Sequence, residues 1–318
     1  MTLVAIDVGS GFTKFCNDEV EGEFVSLVCP VKKGEELGFG SEKAEIITID
    51  GEKYLVGKHA YAFGAPDRHM PTRFDDYAGS VQWRALLYAA LDHMGVDDGD
   101  EVTLVTGLPQ ALYAKRAQSL VKLLKGEHQW NNSGTKRRIT VQAKVIPQAM
   151  AALFAAASKP GNEHLTDAVG EIDWGTYTTG YSWVEQEMVV DARSGGAAIG
   201  VSDVVDALGA HLKREHGIEL RVVQIPAVLR SRQVTYRGEK IDVGEDIDRV
   251  AAQVAEPVFD RLRDLWGQAN DAEILCAGGG AEIFLKAVKA QYPHARISDT
   301  PFRAVVNGLY EYGLAMQG

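Results

Sequence analysis

Apolar residues along this chain follow a strand's period in some stretches and a helix's period in others, and the order of the two is written twice. In the first half, an apolar strand at 3–8 runs into a glycine turn and returns, followed by strand-like "FVSLVCPV", "EIITID" and "EKYLVGKHA". Alternation around Asp50-Gly51 predicts a hairpin over 45–57. A helix is expected from Ser80 to Met94, with Ser80 as N-cap, an apolar stripe through Trp83, Leu86, Leu87 and Leu91, and Gly95 as its stop. "EVTLVTGLP" reads as a buried strand, Pro109 begins a helix that closes at Gly126, "RITVQAKVI" is another strand, and Pro147 opens the Ala-rich helix 148–157.

After a polar break, "SKPGNEHLTD" at 158–167, the pattern restarts. A strand reaches Asp173, turns, and returns through "YSWVEQEMVVDA". Helix 201–216 carries Val201, Val204, Val205, Leu208 and Leu212 on one face, and helix 246–266 contains Pro257, where a kink is expected. "AEILCAGGG" is a strand running into glycines, "AEIFLKAVKAQY" a helix, and 302–316 a terminal helix. Two α/β halves that open alike predict an internal duplication, giving two similar α/β domains with a cleft between them.

Composition narrows the class. At 318 residues and 46% hydrophobic content the chain can bury a large core. A net charge of −11 argues against a broad electrostatic grip on nucleic acid. The basic spots "TKRR" at 135–138 and "LRSRQVTYR" at 229–237 read as solvated hairpins or faces. Cysteines stand singly at 16, 29 and 276, which fits a reducing compartment and no Cys-ligated zinc. The first residues lack a basic leader, and the longest apolar run, "AMAALFAAA", is about half a membrane span. A cytoplasmic protein with no membrane contact is expected.

The chemistry lies in the repeated turn. "IDVGSGFTK" at 6–14 and "IDWGTYTTG" at 172–180 share Ile, Asp and Gly in register, Ser10 meets Thr176, Thr13 meets Thr179, and Lys14 faces Gly180. Gly9, Gly11 and Gly175 are expected to allow positive φ and close backbone approach. Main-chain N–H groups, with the hydroxyls of Ser10, Thr13, Thr176 and Thr178, can then form a nest for phosphate oxygens. Asp7 and Asp173 at the strand ends can hold Mg²⁺ directly or through water. Either hairpin alone reads equally as a structural turn, but two in register point to one polyphosphate clamped from both sides. Gly278, Gly279 and Gly280 would let a flat nucleoside lie against bare backbone beside a helix N-terminus. The chain has no Walker-type loop, and "GSGFTK" lacks the third glycine of a dinucleotide fingerprint.

In this order, the hairpin Asp7–Lys14, the helix 147–157, the hairpin Asp173–Thr179, the glycines Gly278–Gly280 and the terminal "AVVNGLYEYG" resemble the actin, heat-shock chaperone and sugar-kinase superfamily of ATPases. Within it the chain looks most like the bacterial plasmid-segregation actins of the ParM or StbA family, on "VTGLP" at 105–109, "VVNGLY" at 305–310 and its small size. The resemblance implies an actin-like domain I from 1–157 plus 302–318 and a domain II from 158–301. It implies ATP or ADP with Mg²⁺ as ligands, with Asp7 and Asp173 on the metal side. Lys14 would reach the terminal phosphates, the Thr178–Thr179 pair would sit on the phosphate side of hairpin two, and Gln148 would orient the attacking water. Relatives carry Asp, Glu or His where this chain has Gly180, so slow hydrolysis is implied.

The resemblance implies a polymerising ATPase whose head-to-tail filaments move DNA through a DNA-binding adaptor protein, without direct nucleic-acid contact. Two alternatives stand beside it: a small-molecule, sugar-type kinase of the same superfamily, and a cytoskeletal or scaffold ATPase with no segregation role. A kinase would need a carboxylate base for a substrate hydroxyl, where this chain has Gln148. Fold alone does not decide among them.

Overall fold

The computed structural model describes all residues except 39, 41–43, 73–75, 159–167, 187, 221–223 and 318. Most of the expected polar break at 158–167 therefore lies outside the described residues. The chain divides into two compact units, Met1–Ser158 with Val305–Gly318, and Lys159–Ala304.

The first unit contains β1 (Thr2–Val8), β2 (Phe12–Cys16), β3 (Glu21–Val25), β4 (Val28–Val31), β5 (Ile46–Ile49), β6 (Glu52–Val56), α1 (Gly57–Phe63) and α2 (Val81–His93). It continues through β7 (Glu101–Leu108), α3 (Gln110–Leu124), β8 (Gly126–Asn132), β9 (Thr135–Pro147) and α4 (Gln148–Ala157). These strands form one sheet in the order β3-β2-β1-β7-β9-β8-β5-β6-β4. "FVSLVCPV" is two strands, broken at Ser26-Leu27, where Ser26 N–H bonds Gly11 O at 2.9 Å. "EKYLVGKHA" is strand only to Val56, because Gly57 takes φ 57° and starts α1.

Ser80 caps α2 as expected, its hydroxyl accepting from Trp83 N. The helix is buried well beyond the expected stripe, Ala85, Tyr88, Ala89 and Ala90 included. It packs on the face of β1 that carries Val4, Ile6 and Val8, where each fully buried large apolar side chain contributes roughly 1.5–3 kcal/mol. The "TKRR" segment starts β9, and Arg137 pairs with Asp92 of α2 at 3.2 Å.

The second unit contains β10 (Ala168–Trp174), β11 (Thr179–Glu185), β12 (Met188–Val189), β13 (Gly195–Ala197), α5 (Val201–His216), α6 (Ile225–Ser231), β14 (Gln233–Tyr236) and β15 (Glu239–Asp242). Then come α7 (Gly244–Trp266), β16 (Glu273–Ala277), α8 (Ala281–Gln291) and β17 (Arg296–Ile297); the last helix, α9 (Ala304–Ala315), lies almost wholly in the first unit. "LRSRQVTYR" ends α6 and enters the β14–β15 hairpin, an element pair that periodicity alone does not separate. Pro257 sits inside α7, whose helical assignment is continuous from Gly244 to Trp266.

The duplication is visible in topology. The order β12-β11-β10-β16-β17 repeats β3-β2-β1-β7-β9, with two antiparallel pairings followed by two parallel ones in each. In each unit a helix follows the first parallel strand beyond the hairpin, α3 after β7 and α8 after β16, and in the first unit β8 also intervenes before β9. The second core gathers Ile172 and Trp174 of β10 with α5, α7 and α8, and Trp174 stacks on Phe284 at 4.0 Å.

Candidate functional site

Each unit presents its hairpin in the same way. In the first, Gly9 N–H donates to Phe12 O at 3.1 Å; in the second, Gly175 N–H donates to Thr178 O at 2.9 Å. Registers match too: Asp7 lies opposite Lys14, and Asp173 opposite Gly180. None of Gly9, Gly11 and Gly175 has positive φ, contrary to expectation. Space is the constraint instead, since a Cβ would stand 2.8 Å from Phe12 O at Gly9 and 2.7 Å from Thr178 O at Gly175. Any side chain at either position would push the returning strand out of its turn.

Strand parity corrects the expected hydroxyl set. Thr13 pairs with Val8, and Thr179 with Trp174, so both fall on the core faces of their sheets. Both are fully buried; Thr13 Oγ1 bonds Ser26 Oγ at 2.9 Å, and Thr179 Oγ1 donates to Ile199 O at 2.7 Å. Their hydroxyls serve the fold. Ser10, Gly11, Thr176 and Thr178 remain on the turns, partly or fully exposed, and Thr72 Oγ1 ties the first turn by donating to Ser10 O at 2.8 Å.

In the first unit three expected site residues meet. Asp7 is buried, with Lys14 Nζ at 3.3 Å from one carboxylate oxygen and Gln148 Nε2 donating to the other at 2.9 Å. Gln148 is the first residue of α4, after Pro147 at the N-cap position. A Cβ on Gly107 would meet Gln148 Cγ at 2.8 Å, so the glycine of "VTGLP" makes the room this side chain occupies. Thr106 of the same motif donates to Ile6 O at 2.7 Å and fixes the end of β1.

In the second unit, Gly278 has φ 87°, and a Cβ there would collide with the Asp173 carboxylate and Trp174 O. Gly280 N–H donates to Trp174 O at 2.8 Å. Gly278 and Gly280 are therefore packed against hairpin two, and of the three expected glycines only Gly279 is exposed. Beside it lies the Phe302 ring, 3.1 Å from where a Gly279 Cβ would be. Phe302, expected as the first residue of the terminal helix and given no role there, lies instead in a Pro-Phe-Arg turn before α9. Opposite Asp173, Gly180 has open space: a Cβ there would meet only Asp173 Cβ, at 3.9 Å.

A second residue passed over is Glu171. It lies on β10, two positions before Asp173 and hence on the same face, where β1 has Ala5. It is buried, and its Oε1 has no hydrogen-bond partner among the described residues. Burial first, and then the neighbouring Asp173 carboxylate, push its acid well above the usual range. A second carboxylate two positions before Asp173, on the same face of the strand, was the available signal.

Taken unit by unit, each hairpin carries one carboxylate, Asp7 or Asp173, whose hard oxygens are of the kind Mg²⁺ takes, and each has a glycine turn that holds backbone where a Cβ would intrude. No helix among the described residues is long and apolar enough to cross a membrane.

Comparison with known proteins agrees with this architecture. Residues 5–150 match the family profile "Actin like proteins N terminal domain", and residues 171–290 match "Archaeal actin homologue MreB-like, C-terminal". No curated protein sequence matches significantly. Among solved structures, the archaeal actin homolog Ta0583 superposes with a TM-score of 0.82 at 19% identity, over 99% of this chain and 100% of that one. Its complex with ADP gives 0.77 at 19% identity over 100% of both chains. A subunit of a 15-stranded ParM filament from Clostridium botulinum gives 0.75 at 21% identity, covering 99% of each.

Proposed function

We propose, for a chain that has the actin-like fold and carries both family domains of actin-like proteins, that it is an ATPase that assembles into filaments. The observation that carries this reading is the duplicated hairpin, with the same turn hydrogen bond and the same strand register in each unit. Solved relatives include a ParM filament and an Alp12 filament, and Ta0583 has been seen with ADP. A role in segregating plasmid or other DNA through an adaptor protein is the finer reading, supported by likeness to the ParM proteins at 18–22% identity.

In this reading, the amides of each turn would bind ATP phosphate oxygens, and the Lys14 ammonium would neutralise their charge. Asp7 and Asp173 are the residues that would hold Mg²⁺, which when bound would supply positive charge to the phosphate oxygens. Gln148, restrained by Asp7, offers its amide oxygen to orient the attacking water; an amide positions water without acting as a strong base. That neutral group also speaks against the kinase alternative, which needs a carboxylate to take a hydroxyl proton. Exposed Gly279 and the half-buried Phe302 ring beside it would supply a flat surface for the nucleoside.

The test is sedimentation and electron microscopy of the full chain with ATP, a slowly hydrolysed analogue, ADP and no nucleotide. Filaments with ATP and the analogue are expected. A protein that stays monomeric at every concentration while phosphorylating a sugar or alcohol would overturn the reading in favour of the kinase.

A further inference from the structure

The second unit carries a cluster that the nucleotide chemistry does not use. His211 and His216 lie in the last two turns of α5, and Asp246 in the first turn of α7. His211 Nε2 is 2.8 Å from Asp246 Oδ1, and His216 Nε2 is 3.0 Å from Asp246 Oδ2. One donor atom from each residue lies within 4.8 Å of the other two, the one such group found among the described residues. We propose that these three side chains bind one divalent transition-metal ion of the zinc class, tying the end of α5 to the start of α7.

The chemistry of the donors selects the ion. Two imidazole nitrogens and one carboxylate oxygen suit Zn²⁺ or Co²⁺, whereas Mg²⁺ and Ca²⁺ take oxygen donors. An ion about 2.0–2.2 Å from each donor in tetrahedral geometry separates them by roughly 3.3 Å, so shifts of about 1 Å close the set. His216 can make that shift: it is the last residue of α5, its side chain is 38% exposed, and Gly217 follows in the left-handed region. Its open side also gives the ion its entry and a water the fourth position. His211 and Asp246 are buried and supply the fixed part of the site.

Arg214 sets a cost on binding. Its Nη2 lies 3.3 Å from His211 Nδ1, so without metal that nitrogen accepts from the guanidinium while Nε2–H donates to Asp246. Ligation through Nε2 moves the imidazole proton to Nδ1, where it faces the Arg214 donor. Arg214 must then swing away, which its 67% exposure permits. Removing Arg214 should therefore tighten the site, an effect that chance chelation by surface histidines would not show.

The experiment uses untagged, chelator-stripped full-length protein without nucleotide. Co²⁺ is titrated by visible absorption, Zn²⁺ by competition and calorimetry, and thermal unfolding is followed with and without Zn²⁺. One equivalent of Zn²⁺ is expected to bind and to raise Tm by several degrees. His216→Ala, at an exposed helix end, should weaken binding at least about 100-fold, and Asp246→Asn should do the same. Arg214→Ala should tighten it several-fold, and Asp173→Ala should leave it unchanged, which separates this site from the nucleotide's metal. Zn²⁺ affinity equal in wild type and His216→Ala, or binding abolished by Asp173→Ala, would overturn the proposal.

Discussion

Lys14 and Gly180 hold equivalent places in the two hairpins, one opposite Asp7 and the other opposite Asp173, and the difference between them bears on rate. The space beside Gly180 accepts a side chain, so Gly180→Asp or Gly180→Glu should fold and speed phosphate release in assembled protein. In the proposed mechanism, with Gly180 in place, Gln148 would be the principal water-orienting group, and Gln148→Ala should slow release by roughly 10²–10⁴-fold. Wild-type rates in Gln148→Ala filaments would show that the water site is misassigned. Glu171 carries a stability consequence instead. Below the ordinary Glu pKa the acid is protonated both folded and unfolded. As pH rises past that value the unfolded chain ionises while the buried acid stays neutral, so stability falls by up to about 1.4 kcal/mol per pH unit until the raised folded pKa is passed. Glu171→Gln removes this loss. Urea unfolding should show its advantage over wild type growing from pH 5 to pH 8; a gap that does not change with pH would contradict it.

At the scale of elements, glycine marks where backbones touch. On α9, a Cβ at Gly308 would overlap Ala151 O of α4, and Phe154 meets Tyr312 edge to face at 5.4 Å along the same contact. Only glycine lets these two helices approach this closely. Gly308→Ala should cost about 1–3 kcal/mol or more by forcing them apart, while Gly180→Ala, with open space around it, should stay within about 0.5 kcal/mol of wild type. Chemical denaturation of the two variants side by side checks this; equal midpoints would mean that α9 docks without the close contact.

For the whole molecule, the proposed assembly would have to overcome a net charge of −11 per subunit. Like charges on stacked subunits repel over about a Debye length, near 10 Å at 0.1 M salt. In the sedimentation assay, the critical concentration with ATP should therefore fall as salt rises from about 50 to 200 mM. A critical concentration that climbs with salt would mean that the subunit contacts are themselves made of opposite charges.

The duplication, the strand–turn–strand openings and helices such as Val201–His216 follow from the sequence, because period and turn residues act locally and the two halves spell the turn alike. Parity alone also places Thr13 and Thr179 on the core faces once Asp7 and Asp173 are put on the other, although the Thr13 hydroxyl was expected in the nest and Thr179 on the phosphate side of its hairpin. What required the tertiary structure is everything that joins distant positions. Gln148 reaches Asp7 across 141 residues because α4 starts where β9 ends beside β7, and Gly107 leaves it room. Helix packing alone brings His211 and His216 to Asp246. Whether Glu171 is neutral or charged depends on what surrounds it, and burial is a property of the packed sheet that no local pattern encodes.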